Sequence, residues 1–123
     1  MKASHDRMHV MSRLEMSPGL LDLVANRFKV LAEPARLQIL NLLRDEELTV
    51  GELVDRSGLG QANVSKHLQL LHASGFVSRR KDGLFVYYTL ADASVFELCE
   101  TMCGRVEGEM KARRKLLGRS SLL

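Results

Sequence analysis

The two cysteines of this 123-residue chain stand four residues apart, Cys99 and Cys103 in the stretch FELCETMCGR. On a helix that spacing places both thiols on one face, one turn apart, with Cα atoms about 6 Å from each other, so both sulfurs can reach a single outside atom. Such a dithiol suits a soft, thiophilic ion as an effector rather than an obligatory cofactor. Inorganic As(III) or antimony takes three thiolates and would draw on a third donor, whereas an organoarsenical already carries one carbon and needs only two; cadmium and mercury are further soft ligands. His5 and His9, with i, i+4 spacing and Met8 and Met11 nearby, are the candidates for that third donor. Two other readings stay open. Cysteine is a small hydrophobe, and Cys99 falls inside an apolar stripe, so the pair can be packing alone. The third is redox: a disulfide within one helical turn would strain the backbone, but sulfenylation, persulfidation or a bridge between protomers would not.

Five helices and a hairpin must position these residues. Residues 1–16 lack clean periodicity and are expected to form a flexible arm, followed by a single domain over 17–118 and a short tail at 119–123. Ser17 and Pro18 open the first helix, whose apolar residues are Leu20, Leu21, Val24, Phe28 and Leu31. Pro34 opens the second, with Leu37, Ile39, Leu40 and Leu43 as its buried side. Thr49 and Glu52 have capping-box spacing, and Leu48 and Leu53 sit where a hydrophobic staple needs them, so a short third helix starts there. Gly58 and Gly60 allow a tight turn into QANVSKHLQLLHASG, where Val64, Leu68 and Leu71 mark one apolar face and Gly75 is the stop. Two runs rich in Val, Phe and Tyr then flank Asp82-Gly83, which predicts a hairpin with a two-residue turn. Asp92 or Ser94 caps a long fifth helix with the stripe Val95, Leu98, Cys99, Met102, Val106 and Met110.

The chain is 46% hydrophobic and 27% charged, with a net charge of +3, which permits a polyanionic partner without requiring one. No apolar run approaches the roughly 18 residues of a membrane span, and the opening stretch has no continuous apolar segment of the kind a secretory signal carries. A cytoplasmic protein with reduced cysteines is expected.

Two short helices joined by a glycine-containing turn and followed by a basic hairpin form a helix-turn-helix with a wing. With Val64, Leu68 and Leu71 buried, Ala62, Ser65, Lys66 and Gln69 fall on the opposite face, and Gln61 and Asn63 lead it. Small residues there let a backbone approach a base edge, Gln and Asn can pair with adenine, and Lys with guanine or phosphate. His67 is expected on the DNA side or the surface. Arg79, Arg80 and Lys81 on the hairpin are expected to hold phosphates.

The stretches FKVLAEPARLQILNLL and LTVGELVDRSGLGQANVSKHLQLLHASGFVSRRKDGLFVYYTL, with the closing helix, closely resemble the ArsR/SmtB family of winged-helix repressors over residues 20–106. The resemblance implies a mainly α fold with a small β wing, homodimeric through helices one and five. It also implies binding to a palindromic double-stranded DNA operator, release by a metal, metalloid or other effector, and no catalysis. Two of the family's sensor sites are missing. The Cys-Val-Cys of helix three is replaced by Thr49-Val50-Gly51, and of the helix-five zinc site only Asp92 survives, beside Ser94, Arg105 and Gly108. What remains for a thiophilic effector is the pair Cys99 and Cys103, with the packing and redox readings of the same pair still open. A thiol enzyme would want a cysteine at a helix start with a base nearby, which this pair lacks. A winged helix that binds only protein is the other rival, and it would show no preference among duplexes.

Overall fold

The computed structural model describes residues 17–122. The arm with His5 and His9 lies outside the described residues. The chain divides after Ala91 into two compact units.

The first unit runs α1 (Pro18–Leu31), α2 (Pro34–Leu42), β1 (Leu48–Thr49), α3 (Val50–Ser57), α4 (Gln61–Ala73), β2 (Val77–Asp82) and β3 (Phe85–Leu90). Proline occupies the first turn of both α1 and α2, where its missing N–H has no intrahelical partner to lose. Ser17 takes the N-cap position of α1, although its side chain makes no capping bond. At α3 the capping box is complete: Glu52 N–H donates to Thr49 Oγ1 at 3.2 Å and Thr49 N–H to Glu52 Oε1 at 3.0 Å.

Ile39, Leu40, Leu43, Leu48, Leu53, Val64, Leu68 and Leu71 are almost wholly buried, with Phe76, Val77 and Tyr88 beside them. Leu37 is a correction: it is 39% exposed, because it lies about 100° around α2 from the face that Ile39, Leu40 and Leu43 turn inward. In α1 only Val30 is buried, while Leu21, Val24 and Phe28 are exposed.

Gly75 ends α4 at φ +81°, a conformation that side chains disfavour. Its N–H donates to the His72 carbonyl, and Phe76 N–H reaches back to the Leu71 carbonyl at 2.9 Å, which makes a complete Schellman cap. The Phe76 carbonyl in turn accepts Ala91 N–H at 2.9 Å, so one buried residue ties the end of α4 to the base of the hairpin.

The sheet is antiparallel with strand order β1-β3-β2. β2 and β3 pair in register from Val77 opposite Leu90 to Asp82 opposite Phe85. The turn is therefore Gly83-Leu84, one residue beyond the expected Asp82-Gly83. Gly83 at φ +61° and no positive φ at Leu84 are the pattern of a II′ turn, which needs glycine first. β1 adds a short third strand, Leu48 opposite Tyr88 and Thr49 opposite Tyr87.

The second unit is α5 (Ser94–Leu122), a helix of 29 residues and so about 43 Å long. Asp92 begins it by accepting Ser94 N–H on its carboxylate at 3.0 Å. Leu98, Met102, Val106 and Met110 along it are exposed. No helix among the described residues is long and apolar enough to cross a membrane.

Candidate nucleic-acid interface

One side of α4 is sealed into the core, since Val64, Leu68 and Leu71 have no measurable exposure. The other side is open: Gln61, Ala62, Asn63, Lys66 and Gln69 are exposed and Ser65 is half-buried. The burial pattern thus turns a row of amide, small and cationic side chains outward from a helix whose position is fixed by its apolar side. Such a row matches the hydrogen-bonding edges displayed in a major groove.

His67 has a different role from its neighbours. It is half-buried, and its Nδ1 lies 3.1 Å from an Arg36 guanidinium nitrogen. A guanidinium can only donate, so the ring nitrogen is the acceptor of this contact. Arg36 also donates from Nε to the Val30 carbonyl at 2.5 Å and reaches the Lys29 carbonyl at 3.5 Å. Arg36 therefore joins the C-terminal end of α1, the start of α2 and the middle of α4. Sequence reasoning missed it, because its partner is 31 residues away and no local pattern marks it.

In the hairpin the three basic residues divide. Alternation along β2 puts Arg79 and Lys81 on one face and Arg80 on the other. Arg80 is already engaged: Nε donates to Glu47 Oε2 at 2.8 Å, a terminal nitrogen binds the same carboxylate, and the second terminal nitrogen lies 3.6 Å from Asp82. Its guanidinium carbon also sits 4.5 Å from the Tyr87 ring centre. The Arg80 hydrogen bond holds the Glu47 carboxyl below its ordinary range. Arg79 and Lys81 are exposed and make no ion pair among the described residues. With Arg80, Val86 and Tyr88 they line a shallow depression on the hairpin.

On α5, Cys99 is half-buried and Cys103 exposed, and both are free thiols. Burial pushes the Cys99 thiol up, and the neighbouring Cys103 adds to the shift. Among the described residues no third His, Cys, Asp or Glu joins them in a group able to hold a metal.

A core-anchored helix with an outward polar face, preceded by a short helix and followed by a basic hairpin, defines a winged helix-turn-helix regulator of DNA. The comparisons agree. Residues 33–79 match the family described as bacterial regulatory protein, arsR family. The chain is 43% identical over 74 residues to the transcriptional activator HlyU of Vibrio cholerae, covering 60% of this chain and 68% of that one. The crystal structure of Rv0081 from Mycobacterium tuberculosis superposes with a TM-score of 0.69 at 36% identity, over 79% of this chain and 98% of that one. A homodimeric winged helix-turn-helix DNA-binding domain from Mycobacterium bovis gives a TM-score of 0.67 at 34% identity, over 74% and 87% of the two chains. The chain belongs to the ArsR family of bacterial regulatory proteins. It is a winged-helix transcription regulator and not an enzyme.

Proposed function

We propose that this protein is a repressor that binds an inverted-repeat operator as a homodimer and lets go when a thiophilic inducer engages Cys99 and Cys103. The outward face of α4 carries the reading: Gln61, Asn63, Lys66 and Gln69 are exposed while the helix is pinned by its buried side. Those residues, with Ala62 and Ser65, read bases, and Arg79 and Lys81 hold phosphates. Pairing of two copies is supported by the exposed apolar residues Leu21, Val24 and Phe28 of α1 and Leu98, Met102, Val106 and Met110 of α5. A symmetric contact would bury both sets, and the Mycobacterium bovis relative is homodimeric. Two copies of α4 then address half-sites about one helical turn of DNA apart.

Two thiols one turn apart suit an inducer that takes two thiolates, such as an organoarsenical or mercury; an inorganic As(III) ion would recruit a further donor, with His5 or His9 available by sequence. The test is retardation of a palindromic duplex by the reduced protein across a salt series, with and without methylated arsenite. Sequence-selective, salt-sensitive binding that the inducer reverses is the expected result. Binding without preference among duplexes would remove the proposal, and binding that no thiophile reverses would remove the inducer. A second reading, oxidation or persulfidation of the same pair, is favoured by the exposure of Cys103, and a persulfide donor in the same titration distinguishes it.

A further inference from the structure

The hairpin tip carries two large apolar side chains in open solvent. Leu84 is 96% exposed and Phe85 60%. Nothing in the turn asks for them: a II′ turn requires glycine at Gly83 and accepts polar residues after it. The tip is also firmly held. Six-residue strands pair in register behind it, Arg80 is clamped to Glu47, and the Phe85 and Tyr87 rings lie 6.5 Å apart. A pair of apolar residues on a rigid projection, with the exposed cations Arg79 and Lys81 on the strand just behind, is a surface for a target both anionic and partly apolar.

We propose that Leu84 and Phe85 enter the minor groove of the bound duplex as an apolar wedge, while Arg79 and Lys81 hold the phosphates at its edge. The proposal rests on the DNA-binding reading of α4. The Schellman cap at Gly75 and the Phe76 carbonyl bond place α4 and the hairpin in one compact unit. With α4 in the major groove, the hairpin runs about 10 Å past its last pairing with β1, from Arg80 opposite Tyr87 to the Gly83-Leu84 turn, and the Leu84 and Phe85 side chains carry that reach across the phosphate backbone toward the neighbouring groove. The minor groove is about 6 Å wide, which fits a Leu or Phe side chain and excludes a helix. Apolar side chains placed there part a base step and favour sequences that unstack readily. The wedge thus gives selectivity at base pairs flanking those that α4 reads.

The experiment starts from duplexes that the wild-type protein enriches from a random pool. Affinity, salt slope and flanking-base preference are then compared for wild type, the double variant Leu84→Ser with Phe85→Ser, and Arg79→Gln. Both tip positions are exposed, so the core is untouched, and circular dichroism with urea unfolding verifies that the hairpin keeps its structure without the ring contact between Phe85 and Tyr87. The double variant is expected to lose about tenfold in affinity with an unchanged salt slope and a flattened flanking preference. Arg79→Gln is expected to lower the salt slope by about one and keep that preference. A double variant that matches wild type in affinity and flanking preference overturns the wedge. A wild-type protein that enriches no duplex removes the DNA reading itself, and the wedge with it.

Discussion

Burial disfavours the Cys99 thiolate, and a thiolate on Cys103 disfavours it further. Alkylation of Cys99 by iodoacetamide, followed by mass spectrometry across pH, should therefore rise at a higher pH than for an ordinary thiol. In Cys103→Ser the profile should move only part of the way back, because burial is the larger cause. Replacing both cysteines by serine should leave duplex affinity unchanged and abolish release by the inducer, as measured by retardation. The basic residues of the hairpin make a second contrast. Glu47 already neutralises Arg80, so Arg80→Gln should leave the salt slope of duplex binding nearly unchanged, whereas Lys81→Gln should lower it by about one. A Lys81 variant with an unaltered slope would place that ammonium away from phosphate.

At the scale of elements, local signals were legible and distant ones were not. Thr49 and Glu52 announce α3 because their bonds close over three residues. Val64, Leu68 and Leu71 announce the inner face of α4, and with it the outer face that carries the candidate site. The clasp of Glu47 on Arg80 spans 33 residues, and the Arg36 bond to His67 spans 31, so no periodicity encodes either. β1 was equally hidden, since two residues form no pattern and only pairing with Tyr87 and Tyr88 makes them a strand. The turn at Gly83-Leu84 shows the limit of dipeptide reasoning: Asp82-Gly83 suits one turn type, but pairing of Asp82 with Phe85 selects another. Thr49→Ala should destabilise the protein by about 1 kcal/mol in urea unfolding. Hydrogen bonds from Thr49 lower the pKa of Glu52 below its ordinary 4.5, so its contribution is whole above that value and fades as pH falls through the lowered one. Glu52→Gln should accordingly flatten the acid side of the stability profile. Leu68→Ala, which empties a fully buried site behind the reading face, should cost about 2–5 kcal/mol.

For the whole molecule, the proposed dimer predicts that charge on the exposed stripe of α5 separates the copies. Met102→Lys with Val106→Lys should sediment as a monomer and lose operator affinity by orders of magnitude, while the helix-turn-helix unit keeps its fold. A dimer that survives both changes would move the interface elsewhere. The double tether of Phe76 has a further consequence at this scale. Because it fastens reading helix and wing into one rigid block, an effector has little means of loosening the grip of a single block on a single half-site. What it can alter is the gauge between two blocks. An isolated half-site should then be held equally well with and without inducer, and an operator whose halves are moved a few base pairs apart should be held no better than that isolated half-site in both states.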